Sequence, residues 1–324
     1  MRYKKSFFTI NCKKQMVISL KRFLSIIAIF LFFSFMLCFP NKTFTGASNG
    51  LLLWFQIILP TLLPFIILSN LLVYSHALDY ISHFLGPVFC RLFHVSKPAC
   101  HVILMGFLCG YPMGAKSIND LMTCNYISRT EAQYLLSFCN NASPMFMISF
   151  IVSSTFSDMT YTLGTLCILM MSPILCSFLF RLYYKIPNIP FEKNSSQKKS
   201  FIFDFSIMEK SIMNAFETIT KIGGYIILFS ILYLYFADSP INYISPILEI
   251  STGIPAIMKW QIPFEISYIL VLSLTSFGGI CAIAQTGAML KENKLSIFPY
   301  IIQKLITAMV TSLLAYVYIY FIHQ

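Results

Sequence analysis

The stretch GFLCGYPMGAK at residues 106–116 sets three glycines and a proline in and just beyond a run, 98–115, that holds no Asp, Glu, Lys or Arg. A run that long and uncharged belongs at membrane depth, yet Gly and Pro at this density interrupt a helix. Irregular backbone is tolerated in a bilayer only where protein or a wet cavity surrounds it. A second stretch, SFGGICAIAQT at 276–286, places Gly278 and Gly279 inside the charge-free run 266–290, with Gly287 just beyond. Two interrupted membrane segments in one chain therefore decide how the rest is read.

Outward from these stretches, the composition says the same. Of 324 residues, 57% are apolar and 11% charged, with a mean hydropathy of +0.74. Soluble domains carry about 25% charged residues and need them as a skin. Soluble, secreted and disordered classes are excluded. Charge-free runs at 23–41, 43–78, 98–115, 132–157, 159–180, 222–237, 266–290 and 305–324 give eight membrane-depth segments. The fold class is all-α: a polytopic helical membrane protein embedded in a lipid bilayer. The net charge of +11 lies between the spans and reads as topology signal, not as a nucleic-acid surface. The ten cysteines are scattered, with no CxxC pair and no His/Cys cluster, so neither a metal site nor a cofactor is expected. No P-loop, HExxH or nucleophile elbow occurs, and the chain is not expected to be an enzyme.

Residues 2–22 hold seven Lys or Arg and no acid, which puts this end in the cytoplasm. The basic run followed by apolar 23–38 has the outline of a signal peptide. No small-x-small cleavage site precedes Pro40, so it is read as an uncleaved first helix. Basic 181–199 is cytoplasmic by the same rule. Five apolar segments lie between these two stretches, so one must enter and leave by the same face. Broken 98–118 is that re-entrant piece. Loops 75–97 and 116–131 then face the cytoplasm, and 39–49 and 157–160 face outside. In the second half, 221–237 leaves the cytoplasm, 266–290 is the broken piece and 298–321 returns. The expectation is six spans and two re-entrant pieces.

LDYISHFLG at 78–86 resembles INYISPILE at 241–249, and each precedes a broken segment. The implied organisation is a basic N-terminus and first helix (1–45), repeat A (46–158), a bridging helix and basic linker (159–214) and repeat B (215–324). An odd number of crossings between the repeats gives two inverted-topology repeats, each with a broken or re-entrant helix. That pattern points to a transporter site near the midplane.

GYPMGAKSINDLM at 110–122, SRTEAQYLLSFCNNASPMFMI at 128–148 and TSFGGICAIAQT at 275–286 resemble the YlbJ family of sporulation integral membrane proteins. These belong to the wider set with the gate domain of nucleoside transporters and FeoB. The resemblance covers about 45 to 320. It implies a role in endospore formation and cortex maturation, with transport of dipicolinic acid across the outer forespore membrane of a spore-forming bacterium. Asn141-Ala142-Ser143 departs from the family, where small hydroxyl residues or glycines are expected.

Polar groups at membrane depth are candidate substrate contacts. Lys116 closes the first broken segment and can pair with a carboxylate or snorkel to the interface; Lys304 has the same two readings. Asn140, Asn141 and Ser143 precede Pro144, a helix-start signature whose free N–H groups suit an anion or simply cap a helix. Gln285 and Thr286 sit at the matching break and can bond substrate or a neighbouring helix. Tyr111 can stack on a planar ring or pack. All twelve acids lie outside the charge-free spans, which favours an anionic substrate and an uncoupled carrier. A nucleoside or other neutral solute, and a non-transporting scaffold, are the alternative functions.

Overall fold

The computed structural model describes residues 22–186 and 204–322 apart from 76, 238, 241, 292 and 294. The basic residues 2–21 and most of linker 185–200 lie outside the described residues. Among those described, helices account for nearly all regular structure. In order they are α1 (Arg22–Cys38), α2 (Pro40–Leu53), α3 (Leu59–Tyr74), α4 (Leu78–Phe93), α5 (Ala99–Leu108), α6 (Met113–Thr123), α7 (Arg129–Phe138), α8 (Thr162–Tyr184), α9 (Phe205–Ala237), α10 (Ile250–Ile257), α11 (Phe264–Phe277), α12 (Gly279–Met289) and α13 (Ile297–Ile322). A π-helical turn at Trp54–Ile58 joins α2 to α3, and a second π-helical segment runs over Phe146–Phe156. Five elements are long and apolar enough to cross a membrane: Pro40–Tyr74, Met159–Tyr184, Phe205–Ala237, Phe264–Met289 and Ile297–Ile322. Arg22–Cys38, Ala99–Leu108 and Phe146–Phe156 are shorter apolar helices. The chain is a polytopic helical membrane protein.

Several expectations need correction. Residues 39–49 do not form a loop. Phe39 turns the chain and Pro40 begins α2, where its missing N–H costs nothing and its fixed φ suits the first turn. Gly46 and Gly50 then let α2 lie on the backbone of α9, because a Cβ at either would stand 2.8 Å from Ile231 Cα or Ile227 Cα. Within the apolar run 132–157 the helix start read at Pro144 is present: α7 ends at Phe138, and extended backbone over 140–143 precedes the π-helical segment. The physical cause is the polar run before Pro144, which disfavours helix for the residue preceding it. Phe264–Met289, expected to be re-entrant, is long enough to cross despite its break.

Glycines in the two broken segments play different parts. The first break is Cys109–Pro112, between α5 and α6, with Gly110 at φ +86°. Gly106 and Gly114 do not break anything. They lie in α5 and α6, and a Cβ on either would collide with the Cys139 carbonyl, so the pair pinches the hairpin against the 139–140 backbone. The second break is Gly278–Gly279, at φ +88° and +75°, where a residue with a Cβ would be strained. Gly287 is an ordinary residue inside α12.

The matched nonapeptides also diverge. Residues 78–86 are helical in α4, whereas described residues of 241–249 form turns and a 3-10 turn at Ser245–Ile247. Pro246 at the start of that turn favours the change. Buried residues fall into three clusters: one around α5–α7 and the ends of α8 and α13, one around the π-helical segment with α8, α10, α11 and α13, and one where α3 and α9 meet the first break. The two breaks lie between them.

Candidate substrate cavity

A cavity of about 50 Å³ opens where the breaks meet. A water needs roughly 10–15 Å³ on this measure, so it holds only a few. Cys109, Gly110 and Tyr111 come from the first break, and Ala142, Ser143 and Phe146 from the extended segment and the helix after it. Gly278, Cys281, Ala282 and Gln285 come from the second break and α12. Thr61 and Leu62 on α3, Ile222 and Ile226 on α9, and Glu249 with Ile250 and Ser251 at the start of α10 complete most of the wall. Tyr111 ties the first break to both neighbours: its N donates to the Asn141 carbonyl at 2.6 Å, and a Cβ on Gly278 of the second break would lie 3.6 Å from its ring.

Of the residues expected to contact substrate, Tyr111, Ser143 and Gln285 line this cavity. Ser143 Oγ accepts from Phe146 N at 3.2 Å, the cap expected there. Gln285 Nε2 donates to Cys281 Sγ at 3.3 Å. The Tyr111 hydroxyl is buried without a hydrogen-bond partner.

Asn140, Asn141, Thr286 and Lys304 are brought together behind the wall instead. Asn140 Nδ2 donates to Thr286 Oγ1 and to Tyr300 Oη, both at 2.8 Å. Asn141 Nδ2 donates to the Phe138 carbonyl at 2.6 Å. Lys304 is 1% exposed, so it does not snorkel. Its Nζ donates to the Asn140 carbonyl at 3.1 Å and to Asn141 Oδ1 at 3.3 Å. The extended segment that carries Ser143 is therefore bolted to α13 and α12 by side chains from both.

Lys116 stands apart from the cavity. It is 6% exposed, so snorkelling is wrong for it too. Its Nζ pairs with Asp120 at 2.8 Å, one turn along α6, and donates to Asn70 Oδ1 at 2.9 Å. Asn70 in turn donates to the Ser211 carbonyl on α9 at 3.0 Å. Lys116 thus ties α6 to α3 and α9.

The residue missed in the sequence is Glu249. Charge counting placed every acid outside the spans and inferred a site without a carboxylate. Glu249 is 3% exposed and lines the cavity. Oε1 accepts from Ser251 N at 3.1 Å and Ser251 Oγ at 2.6 Å; Oε2 accepts from Thr252 N at 2.8 Å and Thr252 Oγ1 at 3.0 Å. It is the N-cap of α10. A signal was present: Glu249 is the lone charged residue between Asp238 and Lys259, followed by Ser251 and Thr252.

Fold and cavity together define a multi-pass helical membrane protein built around interrupted helices, with a small, mostly apolar cavity carrying a few polar groups at the interruptions. The comparisons agree with that class. Residues 55–182 match the family model of the Gate domain, described as nucleoside recognition. It is also 24% identical to the sporulation integral membrane protein YlbJ of Bacillus subtilis (strain 168), over 310 aligned residues covering 82% of this chain and 75% of that protein. No solved structure matches it.

Proposed function

We propose that this protein is a membrane transporter acting in endospore formation, and that its cargo passes through the cavity between the two broken helices. The observation that carries this reading is the meeting of two interrupted helices at one small cavity. Irregular backbone at membrane depth is stable where it lines such a space, and halves that rock about it give alternating access. The name of the YlbJ relative supports the developmental role.

The cargo proposed first is a small organic acid, dipicolinic acid, moved across the outer forespore membrane for cortex maturation. The observation favouring a second cargo, a nucleoside or other neutral solute, is Glu249, because a carboxylate in the wall opposes a free anion. The description of the matching Gate family supports the same alternative. Uptake of radiolabelled dipicolinate into vesicles holding the protein, competed by unlabelled dipicolinate or uridine, distinguishes them. Absence of any uptake, with normal dipicolinate in spores of a deletion strain, would leave a non-transporting membrane scaffold.

A further inference from the structure

The cavity has one formal charge on its wall, and that charge is negative. None of the residues lining it is Lys, Arg or His. Glu249 accepts from the Ser251 and Thr252 backbone N–H groups and lies within hydrogen-bond distance of both their hydroxyls, donors that suit a carboxylate. The two buried lysines near the breaks are engaged elsewhere, Lys116 on Asp120 and Asn70 and Lys304 on Asn140 and Asn141. Neither faces Glu249 across the cavity.

We propose that Glu249 is a charge filter: cargo enters this cavity only without net negative charge. An organic acid must then arrive with its carboxylates neutralised, by protons or by a bound cation. The proposal rests on reading the cavity as the cargo path. Like charges a few ångströms apart repel far more strongly in a protein interior than in water, and bulk salt does not screen a buried pair. The amide and hydroxyl donors at the start of α10 could soften that repulsion, but they already point at Glu249 itself. What the rest of the wall offers a guest is neutral hydrogen bonding. The Tyr111 hydroxyl is buried and unpartnered, and the Gln285 amide and Ser143 hydroxyl lie on the same cavity. A buried hydroxyl without a partner is costly. A guest carrying a protonated oxygen or a bound cation would satisfy it.

Native chemistry supplies a probe that does not depend on the cargo, because Cys281 lines the cavity. The full chain, keeping Cys281 as its sole cysteine, is placed in liposomes. It is treated with two methanethiosulfonates of similar size, one bearing a trimethylammonium and one a sulfonate. Rates are divided by those on a small free thiol. The cationic reagent is expected to react at least about tenfold faster, the size of effect a nearby unit charge gives at intermediate dielectric. Glu249→Gln should bring the ratio close to one, and Glu249→Asp should keep it. Because Glu249→Gln weakens the α10 cap, Gln285→Lys serves as the variant that leaves the cap intact; its positive charge offsets that of Glu249, so it too should bring the ratio close to one. A ratio of one in the wild type, or a ratio that neither variant moves, overturns the proposal.

Dipicolinate uptake by the same liposomes at pH 5 and pH 8, with and without a divalent cation, provides the second arm. Uptake should rise several-fold on acidification if protons neutralise the acid, or on adding the cation at fixed pH if the cation does. Glu249→Gln should flatten whichever dependence appears. Uptake indifferent to both conditions in the wild type also overturns the filter, and it does so even if the reagents never reach Cys281. No uptake under any condition defeats the transport reading instead, and the thiol ratio then decides the filter by itself.

Discussion

Asn140 shows how much a single side chain holds. Its amide bonds Thr286 on α12 and Tyr300 on α13 from a segment that belongs to neither. Asn140→Ala leaves two buried hydroxyls short of a donor, at about 1–3 kcal/mol for each group left unpaired. A marked fall in thermal stability of the detergent-solubilised protein is expected; an unchanged unfolding temperature would show that the segment is held by other means. Lys304 bonds the same segment through a carbonyl and an amide oxygen. Lys304→Met should lower uptake by displacing Ser143, without altering membrane insertion, and fluorescence from a label at 143 would report the displacement. Lys116 behaves differently because its partner is the half-exposed Asp120. Lys116→Met alone leaves Asp120 unpaired, so it should be worse than Lys116→Met with Asp120→Asn. Additive losses in that double-mutant cycle would mean that the pair is not coupled. The sequence could flag both lysines as costly and shows Asp120 at helical i,i+4 spacing from Lys116, but not the distant partners: a backbone carbonyl at Asn140 and an amide on a distant helix leave no pattern to read.

At the scale of elements, the broken segments were legible because glycine and proline are chemical punctuation, and Gly110, Pro112, Gly278 and Gly279 stand where the helices stop. The role of their neighbours was not legible. Gly106, Gly114 and Gly287 read identically as letters, yet two are tight backbone contact points and the third, where a Cβ would meet Ile297 at an ordinary 3.8 Å, is neither a pinch nor a break. This separates variants that sequence would rank together. Gly106→Ala and Gly114→Ala push a methyl into the Cys139 carbonyl, which is backbone and cannot rotate away. Each is expected to cost several kcal/mol or to prevent folding, in keeping with the upper range of overpacking. Gly224→Ala, in α9 with nothing within 4 Å of the added Cβ, is expected to be neutral or to stabilise by about 0.5–1 kcal/mol through helix propensity. Expression and unfolding temperature of the three variants compare them directly. Equal behaviour would mean that α5 and α6 are not pinned to the 139–140 backbone. Glu249 was hidden for a related reason. Counting charges sorts residues by span, and α10 is an eight-residue helix outside every span that nevertheless folds into the core.

For the whole molecule, alternating access requires contacts between the two halves that hold in one state and part in another. One such set is visible beside the turns that follow α6 and α12. Asn293 Nδ2 donates to the Asn119 carbonyl, Asn119 Oδ1 and Thr123 Oγ1 at 2.8–3.1 Å. Nearby, Gln133 and Ser296 exchange two hydrogen bonds, Gln133 Nε2 to the Ser296 carbonyl at 2.9 Å and Ser296 N to Gln133 Oε1 at 3.1 Å. These bonds bridge residues 163–174 apart in sequence, so they join the first half to the second. They are largely solvent-exposed, and net values near 0.5–1 kcal/mol each are appropriate for such bonds. Losing both side chains would then remove at least about 2.5 kcal/mol, enough to shift a two-state equilibrium roughly 60-fold, since every 1.4 kcal/mol is a factor of ten. Gln133→Ala with Asn293→Ala is therefore expected to raise the rate at which a water-soluble thiol reagent reaches Cys281, applied from the side of these turns. The positive-inside reading expects 75–97 and 116–131 in the cytoplasm, but with 266–290 re-entrant it would put the turn after α12 outside. The bonds from Asn293 and Ser296 to Asn119, Thr123 and Gln133 hold both turns on one side, as a full crossing by Phe264–Met289 would. Cysteines placed in 75–97 and 116–131 should label from the same face. Labelling from opposite faces would replace the re-entrant hairpin by a full crossing. If the loops label together but the double variant leaves Cys281 as protected as before, the bonds are packing at a rigid seam, and the halves must part on the other side of the cavity.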